Sequence, residues 1–252
     1  MPTDKDLHLF FIISSAEKHS SMLFKLKTSV SSSYRHLAIV FFGMVTILTL
    51  VRGVAQDIFG DDYLTYLAPL IVPFGGLFFV FMVRLINNLG VNKRFVRFIL
   101  GLLVSAVLLR LATVLIISDT HIRVIFGSLS SAILLIMQAV CVYFMCVNLF
   151  IDVNPIREKL WASVSVYFMI GATFGTVYSL LLTVNPGGLG MELSKPVDIY
   201  IMGMVYSLNV ISGLDPIYDS ASETIRLTSV LESIFTMLFM VILIGRLLGS
   251  KD

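Results

Sequence analysis

A chain of 252 residues that is 57% hydrophobic and only 13% charged carries about half the charge fraction of a soluble domain. Its mean hydropathy of +0.94 is that of a polytopic membrane protein, and the stretches outside the apolar spans are too short to bury a core of their own. A net charge of +2 makes no case for nucleic-acid binding.

Taken in order, residues 1–35 are polar, and Lys18, Lys25, Lys27 and Arg35 lead into the membrane. They read as a cytoplasmic segment with a short interfacial helix around Leu7–Ser14. The apolar run Leu9–Ile13 is too short for the core of a cleavable signal. Apolar spans follow at about 36–55, 65–86, 96–117, 124–150 and 162–184. Next comes a shorter apolar stretch, Val197–Ile211, and then a last span over about 225–248. A hydrocarbon core needs roughly 20 helical residues, so Val197–Ile211 is too short to cross it. The pattern predicts an all-α membrane protein with six transmembrane helices and a re-entrant helix between the fifth and sixth. Three regions result: the N-terminal segment 1–35, a four-helix domain over 36–150, and a pore-like module over 151–252.

Loop charge sets the orientation. Lys93, Arg94 and Arg97, then Arg157 and Lys159, then Arg246 and Lys251 mark one side. Asp57, Asp61 and Asp62, then Asp119, then Glu192, Asp215, Asp219 and Glu223 mark the other. The signs alternate without conflict, which predicts a multi-pass protein of the cell membrane with both termini cytoplasmic. Ser194 followed by Pro196 is a helix start, and Pro186–Gly190 is an outer link. Trp161, the single tryptophan, reads as an interfacial anchor at the start of the fifth span.

Enzymatic chemistry finds little support. His8, His19, His36 and His121 lie in the tail, at membrane edges or in a loop, and none pairs with Asp, Glu or Cys at metal spacing. No nucleophile-elbow or zinc-protease motif is present, and Asp215 has no intramembrane aspartate to pair with. Cys141 and Cys146 sit five apart in one span, a spacing that suits packing better than a disulfide or a metal. No enzyme, metal or cofactor is expected. Arg123 is the one charge from Arg123 to Phe150, so the fourth span lacks the repeated arginines of a voltage sensor.

Intramembrane polar residues cost free energy and are functional candidates by default. Arg110 lies in the outer half of the third span, where it either snorkels outward or pairs with a carboxylate such as Asp119. Gln138 and Asn148 in the fourth span read as interhelical hydrogen-bond partners. Glu232 is the one acid deep in a span. A re-entrant helix entering from outside points its C-terminus, with its partial negative charge, at the membrane centre, which favours a cation. Ile211, Ser212, Gly213, Leu214 and Asp215 would then form a filter-like turn supplying backbone carbonyls. A re-entrant hairpin that only plugs a bundle stays open as the alternative.

Residues 205–249 resemble the pore module of the bacterial two-transmembrane potassium-channel superfamily, within its small six-span members. Ile225-Arg226-Leu227-Thr228-Ser229-Val230-Leu231-Glu232-Ser233 resembles that family's Ala-Arg-x-Leu-Ala-x-Leu-Glu-Ala. Val241-Ile242-Leu243-Ile244-Gly245-Arg246-Leu247-Leu248-Gly249 resembles its Ala-Val-Leu-Val-Ala-Arg-Leu-Val-Gly, and Tyr206-Ser207-Leu208 echoes its Tyr-Phe-Ser-Phe. The resemblance implies a homotetramer that conducts monovalent cations, potassium or sodium, within membrane lipid. Thr228, Glu232, Phe235, Thr236, Phe239 and Leu243 fall at helical spacing on the last span, and part of this set is expected to face the pore or the neighbouring re-entrant helix. The family filter Thr-Thr-x-Gly-Tyr-Gly-Asp is altered here to Ile211-Ser212-Gly213-Leu214-Asp215-Pro216, with the second glycine and the threonines gone. The resemblance therefore bears on fold and assembly more than on potassium selectivity. Two functions follow for comparison: a non-voltage-gated cation-channel subunit with an altered filter, or a non-conducting, channel-like regulatory or partner-binding subunit. A small-solute transporter is disfavoured, because the two halves show no matching interrupted spans.

Overall fold

The computed structural model describes residues 34–43, 46, 80–84, 87, 92–115, 120–150, 156–190, 196–213 and 221–249. Much of the first two expected spans, the loop holding Asp57–Asp62, and Leu214 and Asp215 lie outside these residues. The described residues are helical with short turns and contain no strand. Residues 34–43 and 80–84 are helical. Five longer helices follow: α1 (Lys93–Leu115), α2 (Thr120–Leu149), α3 (Ile156–Val184), α4 (Pro196–Ile211) and α5 (Glu223–Gly249). His121–Leu149, Lys159–Val184 and Glu223–Gly245 are long and apolar enough to cross a membrane, in keeping with a membrane protein.

The helices begin and end where local chemistry directs. Asn92 caps α1, its Oδ1 accepting from the Arg94 N–H at 2.9 Å. Pro196 opens α4 at a position where a missing N–H costs nothing. At the end of α4, the Ser212 N–H donates to the Leu208 carbonyl at 3.1 Å and the Gly213 N–H to Val210 at 3.2 Å. Gly213 has φ 72° and so ends the helix in the left-handed conformation that glycine adopts most readily.

The hub is α3, which packs against α2, α4 and α5, while α1 packs on α2. Lipid-like surroundings offer no hydrophobic driving force between helices, so small residues and polar bonds join them. Ser130 of α2 donates to the Ala106 carbonyl of α1 at 2.9 Å. Thr176 of α3 and Gln138 of α2 share a side-chain hydrogen bond of 2.8 Å, giving Gln138 the interhelical role its sequence position suggested. Ser165 of α3 donates to the Tyr34 carbonyl at 2.8 Å. Cys141 is buried beside Met145, and both cysteines are free thiols. Trp161 is half-buried against the main core rather than fully exposed.

Helix α4 lies closest to α3. A Cβ on Gly203 would stand 2.7 Å from the Gly175 carbonyl oxygen and 2.8 Å from the Ser179 nitrogen. A Cβ on Gly175 would meet the Met204 Cα at 3.1 Å. Only glycine at both positions lets the two backbones approach this far.

Candidate functional site

The pairings along α3 define how the chain runs through this region. Going down α4, Tyr200 and Gly203 lie beside Ser179, Ser207 beside Gly171, and Ile211 beside Tyr167. The two helices are therefore antiparallel. Ile211 ends beside a residue roughly 25 Å along α3 from Val184, at about 1.5 Å per residue. Going down α5, Ser222 lies beside Gly188, Glu232 beside Tyr178, and Phe235 beside Phe174. Helices α4 and α5 thus run in the same direction along α3. Ser222, just before α5, lies beside Gly188, at the end of α3 near which α4 begins.

Helix α4 has 16 residues, about 24 Å of helix, and cannot span a hydrocarbon core of roughly 30 Å. Every residue from Ile201 to Ser207 is buried. A helix apolar all round can be buried all round, and here α3 and α5 cover it.

Polar groups sit at defined heights in this layer. Glu232 is completely buried. Its Oε2 accepts a hydrogen bond from the Tyr178 hydroxyl at 2.7 Å, and its Oε1 lies 2.5 Å from the Ser207 hydroxyl. The same Ser207 hydroxyl lies 2.7 Å from the Gly171 carbonyl. One carboxyl group thereby ties α3, α4 and α5 together at a single level. Tyr178 stacks edge-on against Tyr206, with ring centroids 4.8 Å apart. One turn deeper, the Tyr167 hydroxyl donates to the Ile211 carbonyl at 2.8 Å and satisfies one of the carbonyls left open at the α4 C-terminus.

The expected site residues divide into three places. Ile211, Ser212 and Gly213 form the end of α4, with Ser212 and Gly213 exposed. A Cβ on Gly213 would meet nothing within 4 Å, so open space adjoins the turn. Glu232, Thr236 and Phe239 are buried on the side of α5 that packs on its own α3 and α4, and Leu243 continues that stripe. Thr228 stands at its edge, half-buried, donating to the Thr224 carbonyl at 2.8 Å. The opposite face of α5 is open and apolar: Leu227, Val230, Ile234, Leu238 and Val241 are all exposed.

Arg110 is not part of this cluster. Its guanidinium lies over Gly127 of α2, where an added Cβ would stand 3.7 Å from it and 3.4 Å from Thr183 of α3. It is also close enough to Tyr200 of α4 for the two to interact electrostatically. Arg110 thus reaches the first turns of α4, while the Glu232 cluster holds its last turns. Sequence reasoning did not single out Tyr167, Tyr178 or Tyr200. A signal was present in Gly171, Gly175 and Ser179, small residues at every fourth position, which mark the line along which α4 lies.

Among the described residues no group of His, Cys, Asp and Glu could hold a metal ion. Compared with protein-family models, curated proteins and solved structures, the chain matches none.

Proposed function

We propose that this chain is the pore-forming subunit of a tetrameric, non-voltage-gated cation channel with an altered filter. The observation that carries the reading is the path of α4 and α5. A helix too short to span runs along α3 to end beside Tyr167, and the full-length helix after it starts again beside Gly188. Irregular backbone at membrane depth is tolerated where protein or a water-filled cavity surrounds it. In this reading the chain crosses the membrane six times with both termini cytoplasmic, and α4 is re-entrant from the outer side. The motif resemblance of residues 205–249 to the bacterial potassium-channel superfamily supports it. One re-entrant unit cannot enclose an ion alone, so four chains would contribute four α4 ends. The open apolar face of α5 is free to meet neighbouring copies across the axis.

A second reading has its own observation. The Ile211 carbonyl already accepts from Tyr167, and Gly213 serves as a helix-ending glycine. Both account for this turn without a permeating ion, and an apolar axis would resist wetting. That reading is a non-conducting, channel-like subunit that binds a partner.

Cation flux in proteoliposomes of the purified full-length chain separates the two. A flux with a four-fold particle in a cryo-EM map supports the channel. A monomeric mass in mild detergent or nanodiscs, together with no cross-linked oligomer in native membranes, overturns it. An assembled but silent protein favours the second reading.

A further inference from the structure

We propose that Glu232 is held in the folded protein as a neutral carboxylic acid whose O–H donates to Ser207, making it the positioning residue that locks α4 between α3 and α5. Three oxygen–oxygen contacts meet here: Tyr178 hydroxyl to Glu232 Oε2 at 2.7 Å, Glu232 Oε1 to Ser207 Oγ at 2.5 Å, and Ser207 Oγ to the Gly171 carbonyl at 2.7 Å. Two lie in the ordinary range of O–H···O hydrogen bonds and the contact of Oε1 with Ser207 lies at its short limit, and where no hydrogen is shared each takes one hydrogen between its oxygens. Tyr178 has one hydroxyl hydrogen and Ser207 has one. The Gly171 carbonyl has none to give, so the Ser207 hydrogen is the one that lies between Ser207 and Gly171. The Tyr178 hydrogen lies on Oε2. The third hydrogen, between Oε1 and Ser207, is then that of Glu232 itself.

The surroundings agree with the count. Glu232 is completely buried, and neither of its hydrogen-bond partners is cationic. The other titratable groups that sense it are the phenols of Tyr167 on α3 and Tyr206 on α4. Arg226 lies on α5 itself, near Tyr206, and is exposed about 9 Å nearer the start of the helix. An isolated carboxylate with no cation costs far more to bury than a hydrogen-bonded neutral acid. With the proton in place, one unbroken chain runs from Tyr178 through Glu232 and Ser207 to the Gly171 backbone. It joins two points on α3 by way of α5 and α4, and so clamps the short helix in its groove. None of this depends on whether the protein conducts.

The test is infrared difference spectroscopy on the full-length protein in liposomes at neutral pH. Wild type is expected to show a protonated-carboxyl C=O stretching band that is absent from Glu232→Gln. If Glu232→Gln does not fold, Tyr178→Phe decides: Oε2 loses its donor, so the band must move to higher frequency. A wild type without that band overturns the proposal. So does a band that neither substitution changes, or the loss of carboxylate bands in its place on Glu232→Gln.

Discussion

Gly203→Ala is the sharpest perturbation of this fold, because it adds one methyl group where two backbones touch. The new Cβ would stand 2.7 Å from the Gly175 carbonyl oxygen and 2.8 Å from the Ser179 nitrogen, both backbone atoms that cannot rotate away. It would also stand 2.4 Å from the Ser179 hydroxyl. Restoring ordinary contact moves α4 outward by roughly 0.6–0.7 Å, a gap of the size that forfeits a quarter to a half of each dispersion contact along the seam. Overpacking of this kind costs about 1–3 kcal/mol. The same change relieves the backbone-entropy penalty of a helical glycine, about 1 kcal/mol. Gly101→Ala isolates that second term, since nothing lies within 4 Å of its Cβ. The expected result is a lower thermal unfolding midpoint for Gly203→Ala and an equal or higher one for Gly101→Ala, both in the same nanodiscs. The difference between the two variants should be about 1–3 kcal/mol. If Gly203→Ala is as stable as Gly101→Ala, the close seam between α3 and α4 is wrong, and with it the burial of α4.

Further outcomes follow from single groups. Gly213→Ala forces a Cβ into φ 72° and should destabilise by about 1–2 kcal/mol although the space around it is empty; an unchanged midpoint would refute the left-handed helix end. Tyr167→Phe removes the donor to the Ile211 carbonyl and should cost about 1 kcal/mol, read by the same unfolding midpoint. Single cysteines at 187 and 93 test orientation with an impermeant maleimide: position 187 should label from outside, and labelling of 93 from outside would refute the proposed topology. If the protein conducts, reversal potentials should show cation preference with poor potassium–sodium discrimination, since the second glycine and the threonines of the family filter are gone. A chloride-selective current, or a potassium-to-sodium ratio like that of a true potassium filter, would refute the prediction.

Much of the architecture was legible because it depends on local properties. Apolar run length separates α4 from its neighbours: 16 residues fall short of a hydrocarbon core, while the 29 of α3 and the 27 of α5 do not. Pro196 marks the start of α4 by backbone preference alone, whereas Gly213, expected in a filter-like turn, proves to be the glycine that ends the helix. The depth of Glu232 and its role as a structural hydrogen-bond partner could also be suspected, since an acid that far inside a span has to find a polar group.

The facing of α5 was not legible, and the reason is physical. Its open face is apolar, while its buried stripe mixes Phe239 and Leu243 with Glu232 and Thr236, so hydrophobic periodicity does not mark which side is buried. Thr228, Glu232, Thr236 and Phe239 share a helical spacing that fits either an axis or an internal seam. Only packing decided that Glu232, Thr236 and Phe239 turn toward α3 and α4 of their own chain. The same holds for Tyr167 on Ile211 and Arg110 beside Tyr200, pairs 44 and 90 positions apart in the chain. Each joins a polar group to another that lies nearby solely because α3 is the surface on which the other helices meet. The sequence by itself determined a membrane protein with one helix too short to cross. The tertiary structure decided which polar groups meet, because a hydrogen bond between helices depends on their relative rotation and depth, and neither is written in the periodicity of a single mainly apolar helix.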